Sequence, residues 1–499
     1  MKTSVQTSTE TAERIFNPEL QKLVMSAEEA AAQIKTGMTI CTSGFGTGYP
    51  KAIPTALAQS KHATQLTVIN GAARGDMHIG ALAASGVLKK FVGFQFNGDM
   101  RAATNSGEVE FIDCHLGQLA GKIKNGYFGN IDFGIIECCK INADGSVVPT
   151  LSAGIADTIA AVADNILLEI NLAIPDIIEG IHDFGRDPGE LVGKDITRHL
   201  GESVLRIDPA KIKGIVFTDF VDNDLVYPEV AKIYEDISAN VVKVLNKEIE
   251  AGRIPEKFTF QSGMGVVANC VLIGLMTEGF EGLKMYTEVL ADQAMFAIKE
   301  GIIDQASTTT LDISPAFFDD VFGNIDFYKQ HLVLRPLEVT NGAAQIIAQE
   351  LVSMNTAWEA DIYGNVNSTN AMGVQMVNGI GGSNDYSRNC KLSIFTTPST
   401  AKHDTISRIV PMCPHVDSTE HDTDIIVTEF GYADLRGKSP KERVREIIEN
   451  CAHPDYRSQL WDYYNDAVAL CGPAQTPHDL TKCFSWYQRY FETGTMKEN

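Results

Sequence analysis

The chain is predicted to be an α/β protein built from two similar open, mostly parallel α/β domains related by internal duplication, and three observations predict it. Ser43-Gly44-Phe45-Gly46 recurs as Ser262-Gly263-Met264-Gly265, an offset of 219 residues, and Ala143-Asp144-Gly145-Ser146-Val147 is answered at the same offset by Ile362-Tyr363-Gly364-Asn365-Val366. Strand-like apolar runs alternate with helix-like ones along the whole length. Glycines stand at the turns that follow the strands, as in sheets covered by helices.

The strand-like runs are Gly37–Thr42, Leu66–Asn70, Ile131–Glu137, Asn165–Leu172 and Ile212–Phe217, and later Leu392–Thr397 and Ile425–Val427. In the first half the glycine loop leads into a helical stretch, Ala52–Ser60, before the strand from Leu66. In the second half the matching strand is Leu283–Thr287, which sets Glu288 at its carboxyl end. The halves are divided as residues 1–222 and 223–499, at the acidic stretch Thr218–Asp224 before Pro228. A helix is expected from Pro228 to Ala251, with Val230, Ile233, Ile237, Val241, Val244 and Ile249 recurring every three or four residues and Gly252 after its end. Ser439-Pro440-Lys441-Glu442 has the form of a capped helix start: Ser as N-cap, Pro at the first position and Glu completing a capping box. Val444, Ile447, Ile448 and Cys451 would form its buried face. The aromatic tail beyond, with Trp461, Tyr463, Tyr464, Phe484, Trp486, Tyr487, Tyr490 and Phe491, is expected to pack on the body or on a second subunit.

With 499 residues, 44% of them hydrophobic, the chain can bury large cores, and its length suits two or three domains. A net charge of −23 argues against nucleic-acid binding, whose surface is normally basic. The segment Met1–Phe16 is polar and Thr-rich, unlike a secretory signal, and the apolar run Ile155–Ile181 is broken by Asp157, Asp164, Glu169 and Asp176. A soluble, cytoplasmic protein with no membrane partner is expected. Ten cysteines without a CxxC pair indicate neither a zinc ribbon nor a disulfide framework; free core thiols are expected, the adjacent Cys138 and Cys139 included.

Glu288 draws attention because the loop after one strand and the carboxyl end of the next border one crevice in an open parallel sheet. It is expected to face the loop Gln261–Asn269, so that a carboxylate meets a row of backbone N–H donors, an arrangement suited to covalent acyl transfer. Without that loop, a carboxylate here would cap a helix or lie in solvent. Gly44-Phe45-Gly46-Thr47-Gly48 invites comparison with a dinucleotide loop, but its spacing is GxGxG and no acidic residue ends the next strand. His403, Cys413, His415, Asp417, Glu420 and His421 cluster in sequence, yet in no familiar metal spacing, and no metal is expected. The run Gly379–Asp385, with Asn378 before it and Arg388 after, could hold an anion or form tight turns.

Gln261–Asn269, Met285–Leu290, Tyr363–Thr369, Asn378–Ser383, Val410–Cys413 and Thr428–Gly437, with Gly44–Pro54 and Asn450–Arg457, together resemble the acetyl-CoA hydrolase/transferase family, most of all its succinyl-CoA:acetate and propionyl-CoA:succinate CoA-transferases. The resemblance implies a CoA-transferase-like pair of α/β domains, the second carrying the nucleophile and the CoA site. It implies that Glu288 attacks an acyl-CoA to give an acyl-glutamyl anhydride and then a glutamyl-CoA thioester. It places oxyanion donors at the N–H groups of Met264 and Gly382, polar support at Asn341 and Glu429, and CoA contacts at Gly263, Met264, Gly265, Val266, Val267, Asn378, Gly382 and Lys402. Coenzyme A would be a substrate, short-chain carboxylates its partners, no cofactor tightly bound, and the assembly a homodimer. Asn370, Asn384, Tyr386 and Phe430 depart from residues common in relatives and border the expected acyl pocket. The competing readings are an acetyl-CoA hydrolase, a non-catalytic CoA-binding module and, more remotely, a nicotinamide dehydrogenase.

Overall fold

The computed structural model describes residues 13–185, 189–222, 231–263 and 265–498. The chain forms two compact units that are discontinuous in sequence: Met1–Val226 with Met285–Lys299 and Ile303–Gln349, and Tyr227–Lys284 with Glu300–Ile302 and Glu350–Asn499.

In the first unit the main sheet runs, in spatial order, Ile212–Thr218, Asn165–Asn171, Phe133–Ile141, Thr39–Thr42, Leu66–Ala73, Leu88–Gln95 and Glu110–Ile112, all neighbours being parallel. Every residue of Phe133–Ile141 except Lys140 is buried, as expected of a central strand covered on both faces. The helices are held by ordinary end chemistry: Gly98–Ser106 starts where the Asn97 side chain accepts from the N–H groups of Asp99 and Met100, and stops at Gly107 with φ 80°. The predicted helix Ala52–Ser60 is present with those bounds. Its N-terminus is capped from the sheet by Glu169, whose carboxylate accepts from the N–H groups of Lys51, Ala52 and Ile53 at 2.5, 2.9 and 3.1 Å.

In the second unit Thr259–Ser262, Val352–Thr356, Leu392–Thr396 and Ile425–Thr428 follow one another as parallel neighbours, and Gly431–Asp434 closes the edge antiparallel. This is the order Thr39, Phe133, Asn165, Ile212 of the first unit repeated. The second sequence match of the repeat is a turn in both units. Asn142 N–H donates to Ser146 O and Gly145 N–H to Asn142 O, while 219 residues later Asp361 N–H donates to Asn365 O and Gly364 N–H to Asp361 O. The corresponding glycines have φ of 81° and 99°, a region where a side chain is strained. The duplication thus extends from sequence to strand order and hydrogen bonding.

The helix expected from Pro228 is described from Lys232 to Glu250, with Ile237, Val241 and Val244 buried; Pro228 and Val230 lie outside the described residues. It packs on Val266–Thr277 where Ser238 Oγ donates to Cys270 O at 2.7 Å. A Cβ at Gly274 would meet that hydroxyl at 2.5 Å, so glycine permits the close crossing. Helix Pro440–Asn450 has the predicted capping box. The aromatic tail packs within this unit through Tyr456, Tyr463, Trp486 and Tyr487, all buried, whereas Phe484 and Phe491 remain exposed. All ten cysteines are free thiols, eight of them buried, including Cys138 and Cys139.

One core carboxyl gives this unit a pH dependence. Glu359 accepts from Asn367 Nδ2 at 2.7 Å and from Tyr487 OH at 2.8 Å, but burial outweighs both bonds and pushes its pKa up to about 7. Its proton is therefore held more tightly folded than unfolded. Its contribution to stability is complete below the ordinary carboxylate range and fades as pH rises through about 7. Denaturant midpoints from pH 5 to 8 should show wild type losing ground to Glu359→Gln across that interval; parallel profiles would contradict this.

Candidate active site

Glu288 lies in a bend between the strands Leu283–Tyr286 and Val289–Ala291, half-buried, at the carboxyl-end position expected from the sequence. The backbone there is fixed by one neighbouring segment, Ser307–Thr310. Thr287 N–H donates to Ser307 O, and the carbonyl of Glu288 accepts from the N–H groups of Thr309 and Thr310 at 3.1 and 3.2 Å. The side chain is held by Asn341, whose Nδ2 donates to Glu288 Oε1 at 2.5 Å. Asn341 is 2% exposed and closes the short helix Leu337–Thr340. That helix is tied back to the same strand by Tyr286, whose buried hydroxyl donates to Val339 O at 2.8 Å. A carboxylate at a strand end is thus presented by a rigid frame, with one strong donor on one of its oxygens.

The frame explains why the compact units do not follow the sequence division at 222/223, which assigns Glu288 to the second half. Leu311 N–H donates to Leu151 O, Ala153 N–H to Thr309 O and Leu337 N–H to Gly154 O, so this segment is built onto the first sheet. Glu288 and Asn341 belong to the first unit. Gly263, Gly265, Val266, Val267, Asn378, Gly382, Lys402 and Glu429 belong to the second. Met264 lies outside the described residues.

Within the second unit the two glycine segments converge on Asn355. Gln261 Nε2 donates to Asn355 Oδ1 at 3.2 Å, Gly263 N–H donates to Met354 O at 2.9 Å, and Asn355 Nδ2 reaches Ser383 O at 3.5 Å. Gly265, at φ 113°, opens the helix Val266–Thr277; Val266 is half-buried and Val267 buried. Gly379 and Gly381 have φ of 145° and 60°, the Asn378 side chain accepts from Gly379 N–H at 3.0 Å, and buried Gly382 opens the helix Ser383–Asn389. Glu429 is half-buried, its two oxygens accepting from Ser399 Oγ at 2.5 Å and Ser399 N–H at 2.9 Å. Lys402 is exposed, with Nζ 3.0 Å from Tyr490 OH, and begins three consecutive residues of positive φ, Lys402, His403 and Asp404. This run makes the turn between the antiparallel strands Thr400–Ala401 and Ile406–Ser407.

Sequence reading missed Tyr286, Thr340, Asn355 and Ser399. They are polar residues of ordinary type, whose significance lies in what they touch, and no spacing announces them. Among the described residues no group of three or more His, Cys, Asp or Glu side chains could hold a metal ion. The first glycine loop fares poorly as a dinucleotide site, because Glu169 already occupies the helix N-terminus where a pyrophosphate would sit. Behind it Lys51, fully buried, pairs with Glu137 at 2.5 Å and Asp222 at 3.2 Å. No helix among the described residues is long and apolar enough to cross a membrane.

Comparison with known proteins places this architecture. Residues 8–187 match the acetyl-CoA hydrolase/transferase N-terminal domain and residues 318–464 the C-terminal domain. The chain belongs to the acetyl-CoA hydrolase/transferase family and is an enzyme of that class. It is 40% identical to the succinyl-CoA:acetate CoA-transferase of Clostridium kluyveri over 98% of this chain and 92% of that one. It is 36% identical to the acetyl-CoA hydrolase of Schizosaccharomyces pombe, over 97% of this chain and 98% of that one. The crystal structure of RipA from Yersinia pestis shares the fold, with a TM-score of 0.69, 21% identity and coverage of 93% and 99%.

Proposed function

We propose that the protein is an acyl-CoA:carboxylate CoA-transferase acting on short-chain acids such as acetate and succinate, with Glu288 as its nucleophile. The observation that carries this is the Asn341–Glu288 bond at the end of a strand: a half-buried carboxylate with one oxygen held by a neutral amide and its backbone fixed by Ser307–Thr310. A module that only bound CoA would have no use for such a frame.

In this reading one Glu288 oxygen attacks the thioester carbonyl of an acyl-CoA and the CoA thiolate leaves, giving the mixed anhydride. The thiolate then attacks the glutamyl carbonyl, the donor acid departs as a carboxylate, and a glutamyl-CoA thioester remains. An acceptor carboxylate reverses the two steps. A carboxylate nucleophile suits the task because anhydride and thioester both keep the acyl group activated, whereas a serine ester would not. The N–H groups of Met264 and Gly382 are assigned to the developing oxyanions, where loss of one donor would raise the barrier by about 3 kcal/mol. Gly263 to Val267, Asn378, Gly382 and Lys402 are assigned to CoA, and Glu429 to polar support of the reacting group. Coenzyme A acts as substrate, and the enzyme works as a cytoplasmic homodimer.

The 36% identity to an acetyl-CoA hydrolase supports a second reading, in which water takes the place of the acceptor acid. Intact-protein and peptide mass spectrometry after incubation with acetyl-CoA or succinyl-CoA alone separates them. A CoA adduct on the Glu288 peptide, discharged by added acetate or succinate, is the expected result. Steady release of free CoA without an adduct, indifferent to added acid, would establish the hydrolase instead.

A further inference from the structure

The side-chain amide of Asn341 can face Glu288 in two ways, and only one is useful. With Nδ2 forward it donates to the carboxylate; with Oδ1 forward it sets a carbonyl oxygen against a carboxylate oxygen. Two neighbours decide between them. Nδ2 lies 2.5 Å from Glu288 Oε1, and the Thr340 hydroxyl donates to Asn341 Oδ1 at 3.0 Å. Thr340 is fully buried and Asn341 is 2% exposed, so bulk water does not compete freely for either group. The hydroxyl has one proton, and its acceptors include Asn341 Oδ1 at 3.0 Å and Leu337 O of its own turn at 3.3 Å. Turning to Leu337 would trade the shorter contact for the longer one and set its lone pairs against Oδ1, or, with the amide turned over as well, leave Oδ1 facing the Glu288 carboxylate.

We propose that Thr340 is a positioning residue for the reaction, its hydroxyl locking the Asn341 amide so that Nδ2 faces Glu288 through each cycle of charge loss and recovery on the carboxylate. The need arises because Glu288 alternates between an anion and neutral acyl derivatives. While it is neutral, the pull that orients Asn341 from that side weakens, and the Thr340 bond keeps the amide from turning over before the carboxylate returns. This inference rests on the reading of Glu288 as nucleophile.

The test compares Thr340→Val, Thr340→Ser and Thr340→Ala in the full-length protein. Val keeps the shape without the hydroxyl, and Ser and Ala differ only in that oxygen. Val should lower kcat on the order of tenfold, the size of one hydrogen bond made to a polarised group, with the KM for acyl-CoA within about twofold. The Ser-to-Ala ratio should match the Thr-to-Val ratio, and it carries the test by itself if the Val variant does not fold. Thermal midpoints of Ser and Ala should agree far better than their kcat values, which a merely structural role would not produce. In an Asn341→Ala background, Thr340→Val should have no further effect on residual turnover. Equal kcat for Ser and Ala, or losses of kcat that track losses of stability, would overturn the proposal. Failure of the underlying reading is distinguishable, since wild type would then form no CoA adduct on Glu288; an adduct in wild type together with equal Ser and Ala variants rejects Thr340 alone.

Discussion

Replacing Glu288 by glutamine is expected to reduce CoA exchange between acyl-CoA and free acid by about 10⁴-fold or more, the scale of losing a covalent nucleophile, while the protein stays folded. The substitution keeps the shape of the side chain and leaves a carbonyl oxygen where Asn341 Nδ2 now donates, 2.5 Å away in the wild type. It removes the negative charge and the lone-pair reactivity, since an amide oxygen is a poor nucleophile toward a thioester. Because Glu288 is only half-buried and its backbone is held by Thr309 and Thr310, stability should change by less than about 1 kcal/mol. Glu288→Asp withdraws the carboxylate by one methylene from the Asn341 amide, and should retain a trace of exchange and of adduct because the chemistry survives where the geometry does not. Exchange is read by isotope transfer from labelled acid into acyl-CoA, stability by urea denaturation. Full exchange in the Gln variant would end the assignment of Glu288 as nucleophile.

How far the sequence spoke depended on whether a feature was local. The repeat, the helix Ala52–Ser60, the capping box at Ser439 and the strand end at Glu288 follow from turn chemistry and apolar period, which short windows contain, and all four are present. The frame of Glu288 is not local. Asn341 stands 53 residues from Glu288, and its place in the sequence analysis came from family resemblance. Tyr286 and Thr340 could not be singled out, because a buried hydroxyl becomes informative only once its acceptor is known. The compact units depart from the division at 222/223 for a related reason. Residues 285–349 follow the second glycine loop in sequence but bond to Leu151, Ala153 and Gly154, and no period in the sequence records such a return.

Arg335→Ala should be the most destabilising single change in the platform beneath Glu288, at about 3–5 kcal/mol, because it strands a buried carboxylate. Arg335 is fully buried and pairs with Asp183, itself 1% exposed. Its Nε donates to Ser307 Oγ at 2.9 Å, and its far nitrogen donates to the carbonyls of Arg198 and Ile196 at 2.6 and 3.2 Å. Its main chain takes part as well: Arg335 N–H donates to Thr308 O at 2.7 Å, and Arg335 O accepts from Thr309 Oγ1 at 2.7 Å. One residue thus joins the strand that carries Ser307 and Thr308, the Thr309 that fixes the Glu288 backbone, and the segment leading to Leu337 and Asn341. Burial opposes the charge on Arg335 and lowers its pKa, with Asp183 the first influence acting the other way. The pair therefore contributes order more than net stability, and what makes the truncation costly is the partner left behind. The double variant Arg335→Met with Asp183→Asn should recover much of the loss, since no uncompensated charge remains, while kcat stays depressed because the fork that registered Ser307 against Arg198 is gone. Urea denaturation and steady-state exchange on the same preparations check both parts. A single Arg335→Ala variant of wild-type stability would show that the N–H groups of Leu200 and Gly201, which donate to Asp183 at 2.7–3.0 Å, suffice to hold its carboxylate, and that the platform is held by its backbone bonds alone.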